Sequence, residues 1–460
     1  MVKAKAGAAG LREAQSSPVE TSLDFSFTFR LEDLVRLPER VRMPGILPVL
    51  AAGLLLRLVL ALIPPFQIDT GTFRAWSDSL ARDNPWNFYK TDFFTDYAPG
   101  YMYVLWFIGK LNQLFHFNQE TFEYVLKLPS IAADLASAYV LYLLLKDQKQ
   151  EWRVGAAAIY LLFPAVLIIG PIWGQVDSLL AFLLLLSIYF IDRERPMAGA
   201  LVFTLGFLTK PQIIATLPFL AVWIMRRNPP RVWLQITGAS LALLLVVIFP
   251  FFTFKPWDLI PQLYDATNVE NYRVKSFFAY NFWNIGGLFE GFKPDVTGIQ
   301  PGQGTLLGID YRYWGFALFA TSIVGIIRVM WNSRGTGALA LGSALSVYVF
   351  YMFMTRMHER YVFAAFLPLL AAAVALHSRT LLALFGTLGM IHFFNLYHVY
   401  VYYQHDLRWN AFYKWFEKSN LLGTGLETVQ VLSLLMVVGL PFLIAVAYRI
   451  SNRAQPAGVT

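Results

Sequence analysis

A polytopic bundle of membrane helices is the fold class this chain predicts: all-α, crossing the bilayer about 11 to 13 times. Three observations predict it. Of the 460 residues 57% are hydrophobic and only 14% charged, and the mean hydropathy is +0.50. Apolar segments of roughly 17 to 25 residues recur, each long enough to cross a hydrocarbon core about 30 Å thick. From residue 146 onward short basic stretches alternate with loops of another character, as the bias of Lys and Arg toward cytoplasmic loops requires. The net charge of +8 and pI near 9.4 are therefore read as topology rather than as affinity for nucleic acid. Without cysteine there are no disulfides and no thiolate chemistry, so outer loops must hold shape by packing and hydrogen bonds.

Residues 1–45 read as a loose cytoplasmic tail in which "RLEDLVRLPERVRMP" spaces arginines among leucine and valine, as an interfacial helix does. The first anchor is 46–65, with the N-terminus inside. It opens an N-terminal module, 46–253, whose residues 65–97 form a long polar loop on the outer side. The basic stretches "KDQKQEWR", "DRERP", "RRNPPR", "RVMWNSR", "HSR" and "YRISNR" fall inside. The loops "WGQVDS", "TKPQ", 254–310, "TRMHER" and 403–424 then fall outside. Segments 98–116 and 124–145 break this parity, so either the first is re-entrant or interfacial, or "KDQKQEWR" lies outside. The apolar pieces flanking "TKPQ" are short for full crossings. Residues 254–310 are long and loose enough for a lid, and 311–460 form a C-terminal transmembrane module; along the chain no internal repeat is strong enough to suggest an inverted-repeat transporter. The implied location is multi-pass in a plasma or inner membrane.

The alternation makes "MTRMHERY", residues 354–361, informative. Arg356 and Arg360 would be an ordinary cytoplasmic anchor if inside. One apolar span separates them from "RVMWNSR" and another from "HSR", which places them outside, against the orientation rule. Arg356, His358 and Arg360 there suit an anionic headgroup, with Glu359 orienting an arginine. Lys210 in "FLTKPQII" needs a carboxylate partner or an anionic ligand, unless it snorkels to the interface. Asp69, just past the first anchor, suits either a general base or a helix N-cap, and spacing alone favours the cap. Asp78, Asp83 and Asp92 read as solvated loop residues, whereas Asp96 in "DYAPGY" is ambiguous between cap and site. In "PIWGQVDSLL", Trp173, Gln175 and Asp177 suit sugar hydroxyls, though Asp177 equally suits a cap. Tyr264, Tyr272, Tyr280 and Trp283 suggest a stacking wall, with Asn281 reaching a polar substrate and Gln212 beside Lys210. An interfacial aromatic belt explains the same tyrosines and tryptophans. No Walker motif, zinc spacing, HExxH or dinucleotide fingerprint is present, and no outer-loop Asp-x-Asp pair implies a soluble nucleotide sugar.

Taken in order, "QIDTGTFRAW", "DYAPGY", "KLPSIAADL", "WGQVDS", "TKPQ", "AYNFW" and "TRMHERY" resemble the GT-C membrane glycosyltransferases over residues 46–405. The similarity is nearest to bacterial and archaeal mannosyltransferase-like members that use dolichyl- or polyprenyl-phosphate sugars. The resemblance implies a polyprenyl-phosphate-linked donor as co-substrate, an extracytoplasmic acceptor hydroxyl on a glycan, glycolipid or protein, and inversion at the anomeric carbon. It further implies an essential acid in the first outer loop, which maps onto Asp69. Many members carry two acids there; here Ile68 and Thr70 flank Asp69, so a second carboxylate must come from Asp96 or Asp177. On this reading Arg356, His358, Arg360 and Lys210 hold the donor phosphate, Glu359 orients them, and Trp173, Gln175, Gln212, Tyr280 and Asn281 contact sugar or acceptor. No metal or other cofactor is required. A lipid-linked sugar flippase, or a ligase or polymerase using a diphosphate-linked glycan, is the alternative.

Overall fold

The computed structural model describes residues 45–89, 95–252, 255–261, 276–285, 305–404, 413–416 and 426–453. The interfacial tail, Asp92, Tyr264, Tyr272 and most of the expected lid lie outside these residues. What is described is a helical bundle with two short two-residue strand pairs. Five helices are long and apolar enough to cross a membrane: Gln119–Leu144, Pro230–Phe252, Thr336–Phe353, Arg379–Tyr403 and Thr428–Asn452. The pair Gln150–Leu162 and Pro164–Trp173 is as long and apolar together but bends by 52°, the geometry of a broken crossing or of a re-entrant segment. Four shorter apolar helices, Ile46–Leu60, Pro196–Thr209, Pro211–Met225 and Phe363–Ala375, accompany them. The chain is thus a multi-pass helical membrane protein, and among the described residues the helices long enough for a full crossing are fewer than the 11 to 13 expected.

Local chemistry sets the helix ends. Asn118, Asp310 and Ser378 each cap the helix that follows, accepting from the backbone N–H of Thr121, Arg312 and Leu381 at 2.9, 2.8 and 3.3 Å. Lys127 does the reverse for Ile46–Leu60, donating to the terminal carbonyls of Ala61 and Ile63 at 2.9 and 2.6 Å. A cation there also opposes the negative end of the helix dipole.

Burial separates the inside of the bundle from its lipid-facing rim. Of an 18-residue window in Thr336–Phe353, 83% is buried against its neighbours, whereas for Pro230–Phe252 the figure is 6%. An apolar helix so bare needs hydrocarbon around it.

Residues 65–97 are not chiefly a loop. They hold the amphipathic helix Gln67–Asp83, which lies against Pro99–Phe115. The two approach closely because Gly109 has no side chain; a Cβ there would run into the Ser77 carbonyl. Lys110 Nζ reaches the Ala81 carbonyl at 2.5 Å, and Asn112 donates to Asp78 at 3.3 Å. Asp78 and Asp83 are therefore helical, and Asp83 lies 3.2 Å from Arg82.

The basic stretches gather at one end of the bundle. Arg193 reaches the Leu143 carbonyl at 2.6 Å, Thr336 donates to Asp192 at 2.6 Å, and Arg227 donates to the Ser333 carbonyl at 2.8 Å. The candidate site lies at the other end.

Candidate functional site

Broken helical geometry builds the centre of the site. The bent helix pair breaks before Pro164, and its far end, Ile168–Trp173 with Pro171 inside it, is wound as a π-helix that stops at Gly174 with φ +84°. Such wider turns recur at functional sites because they redirect side chains. Gly174 is needed twice over, since its backbone is left-handed and a Cβ would press on Lys127 Cγ at 3.1 Å. The turn delivers Trp173 and Gln175 to one point: Trp173 Nε1 and Gln175 Nε2 both donate to Asp69 Oδ2, each at 2.7 Å. The Gln175 amide is itself oriented, its Oε1 accepting from the Tyr97 hydroxyl at 3.1 Å and from the Val176 N–H at 2.7 Å.

Asp69 is not an N-cap. The helix begins two residues earlier, at Gln67, with Phe66 in the cap position making no side-chain cap hydrogen bond. The carboxylate instead spends one oxygen on two donors from the π-helical turn. Its other oxygen, Oδ1, is 3.7 Å from an Arg360 nitrogen.

Asp177 is not a cap either: Val176 holds that position without a side-chain cap bond. Lys210 Nζ lies 2.7 Å from Asp177 Oδ2, with both side chains almost wholly buried. Arg360 joins the two acids, with Nε 3.7 Å from Asp177 and one terminal nitrogen 2.7 Å from Glu359 Oε1. His358 is 3.8 Å from the other Glu359 oxygen.

A second segment closes over this cluster. Strand Ser276–Phe277 pairs in parallel with Met357–His358, Phe277 opposite His358, and their rings stack at 4.8 Å and 12°. Together these elements enclose a cavity of about 200 Å³. Asp69, Asp96, His358, Glu359 and Arg360 line it, with an apolar floor that includes Phe66, Phe73 and Trp76.

The electrostatics differ from a simple cationic receptor. Four carboxylates, Asp69, Asp96, Asp177 and Glu359, surround the basic groups of Arg360 and Lys210, with His358 beside them. Burial works against ionising Glu359, yet Arg360 above all, with His358, brings its carboxyl down to about 2. Burial likewise disfavours the Arg360 charge, but Asp69 and Glu359 hold its pKa above the ordinary value. Asp96 is moved the other way, pushed up by burial despite His358 and Arg360.

Not every expected site residue converges here. Arg356 does not line the cavity; its backbone is left-handed at φ +64°, and its charge acts on Asp310 instead. Tyr280 and Asn281 do not line it either. The Tyr280 hydroxyl meets His398 Nδ1 at 3.0 Å, and Asn281 binds the Tyr351 carbonyl and the Trp283 N–H, each at 3.1 Å. They anchor the outer segment rather than facing the void. Gln212 lies beside the Tyr361 ring system, and its buried Oε1 has no hydrogen-bond partner. Tyr97 and Phe277 are site residues that sequence reasoning passed over; "DYAPGY" held the signal for Tyr97, but nothing local marks Phe277. Among the described residues no three His, Asp or Glu side chains converge as a metal-ligand set. No family model and no curated protein matches the chain.

Proposed function

We propose that the protein is a GT-C-type membrane glycosyltransferase that moves a sugar, a mannose-like hexose on the resemblance, from a polyprenyl-phosphate donor to an acceptor hydroxyl with inversion. The observation that carries this reading is the Asp69 carboxylate: one oxygen is fixed by Trp173 and Gln175 while the other borders a 200 Å³ cavity opposite Arg360. A base so held keeps its geometry while leaving Oδ1 for a substrate proton.

In the displacement, Oδ1 of Asp69 accepts the acceptor hydroxyl's proton as its oxygen bonds the anomeric carbon. The bond from that carbon to the lipid phosphate breaks, and its electron pair leaves with the phosphate. By analogy with inverting sugar hydrolysis the transition state has oxocarbenium character. Arg360 and His358 line the cavity where the departing charge needs support. The 3.7 Å gap between Arg360 and Asp69 is too long for a hydrogen bond, so the nitrogen facing Asp69 is left for the phosphate while another stays hydrogen-bonded to Glu359 at 2.7 Å. Asp96, on the same cavity, is the candidate second acid, since Asp177 is already committed to Lys210.

The test is transfer from a labelled polyprenyl-phosphate sugar by purified Asp69→Asn. Transfer should fall by about 10² to 10⁴, with donor binding retained. Full transfer by the variant removes Asp69 as the base. Donor translocation without transfer by the wild type selects the flippase, and turnover only with a diphosphate-linked donor selects the ligase or polymerase.

A further inference from the structure

The opposite end of the bundle carries a second feature, independent of the reading of Asp69. Arg226, Arg227 and Arg334 line a cavity of about 1010 Å³ together with Trp223, Trp331 and Glu194. Basic residues at one end of a membrane bundle are ordinarily a topology signal and need no ligand. Arg226 and Arg227 differ in being held. Arg227 donates to the Trp223 and Ser333 carbonyls at 3.0 and 2.8 Å and lies 3.6 Å over the Trp223 ring. Arg226 lies 3.9 Å over the Trp331 ring. Among the described residues none of the three arginines is ion-paired, and Glu194 is the lone carboxylate lining the cavity. Arg226 and Arg334, after burial, draw the Arg227 pKa below its ordinary value, as expected of cations gathered without a counterion.

A groove of about 420 Å³ joins this cavity, sharing Ile191 and Ile224 with it. It runs between Pro196–Thr209, Leu217–Met225 and Pro230–Phe252, the last being the helix left bare toward lipid. Its walls are apolar, Phe203, Phe207, Leu220 and Leu241 among them. One polar atom is exceptional: Trp233 Nε1, near the basic end, is buried without a hydrogen-bond partner. Guanidinium groups, an unused indole donor and an apolar trough thus follow one another along the bundle.

We infer that this cavity and groove bind an anionic glycerophospholipid, its phosphate on Arg226, Arg227 and Arg334 and an acyl chain between the helices. The phosphate matches the unpaired arginines. An ester carbonyl at the depth of Trp233 would accept its indole N–H. A free phosphate would satisfy the arginines and leave the groove unused, which makes the lipid the better match to both halves.

Native mass spectrometry of the full chain, titrated in neutral detergent with phosphatidylglycerol, phosphatidylcholine or glycerol 3-phosphate, tests this. Phosphatidylglycerol should bind about tenfold tighter than phosphatidylcholine, and the variant R226A/R227A/R334A should bring the two within about twofold. Ala221→Trp, which fills the groove, should weaken phosphatidylglycerol about fivefold. Should the triple variant fail to fold, Arg334→Glu alone, at an exposed position, should weaken it about threefold. The inference is overturned by equal affinity for the two lipids, by arginine variants that bind normally, by indifference to Ala221→Trp, or by glycerol 3-phosphate displacing the lipid at equal concentration.

Discussion

Two buried charge clusters in this protein are built alike and do different things. Arg57, in the last turn of Ile46–Leu60, and Asp134, inside Gln119–Leu144, are both 0% exposed and meet at 2.9 Å. Tyr160 approaches Asp134 at 3.4 Å, Arg57 also reaches the Gly53 carbonyl, and a Cβ on Gly170 would strike the Asp134 carboxylate. Neither side chain lines the cavities described above. The second cluster, Asp69 with Arg360 and its partners, has contacts of 3.7 Å and a void beside it. The first pair is closed and short, and its chemistry is spent on structure. The second is open and loose on one side, so its groups remain available. Charge buried among helices is therefore a weak sign of a site; a loose pair facing space is a better one.

The largest expected effect breaks the closed pair. Arg57→Leu leaves Asp134 buried without its partner and should cost about 3 to 5 kcal/mol of stability. Arg57→Leu with Asp134→Leu removes both charges and should recover most of that loss, as measured by thermal unfolding in detergent. Cavity-dependent transfer by the folded double variant should stay near wild type. If the double variant folds well yet loses transfer, the division between a structural cluster and a working one fails.

The bundle was legible because lipid leaves few options: long apolar runs with basic ends must be helices. Asp69 was singled out only through a resemblance spread over the chain, since its spacing equally suited a cap, and what distinguishes it is a contact with Trp173 and Gln175 more than a hundred positions away. Arg57, a lone arginine inside "ILPVLAAGLLLRLVL", carried a plain intramembrane signal, yet went unread beside the more conspicuous "MTRMHERY". The balance of charge was illegible for a different reason. Arginines clustered in one octapeptide look like a cationic receptor, but beside its own Glu359 the acids around Arg360, Asp69, Asp96 and Asp177, come from three other segments.

A smaller effect sharpens the open cluster through pH. The Glu359 carboxyl is lowered from 4.5 to about 2 in the folded protein. A depressed carboxylate stabilises the fold above its unfolded pKa, and that contribution disappears as pH falls through the folded value. Glu359→Gln should therefore cost on the order of 3 kcal/mol near neutrality. The gap from wild type should close as pH falls from about 4.5 toward 2, followed by unfolding temperature. A gap constant with pH would mean that Glu359 acts by packing alone and does not tether Arg360 by charge.

The smallest effect separates the two arginines of "MTRMHERY". Arg360 touches Asp69, Asp177 and Glu359 and lines the cavity, whereas Arg356, four residues earlier, sits in a left-handed turn and does not line it. A non-glycine residue there carries backbone strain that glycine relieves. Arg356→Gly should therefore leave stability within about 1 kcal/mol of wild type. It should change transfer less than about threefold, whereas Arg360→Ala, which strips the cavity of its guanidinium, should cost at least tenfold more. Rates measured with the same donor for both variants decide the point. Equal losses would mean that Arg356 reaches the donor, and the boundary of the open cluster would then extend past the cavity wall to the turn itself.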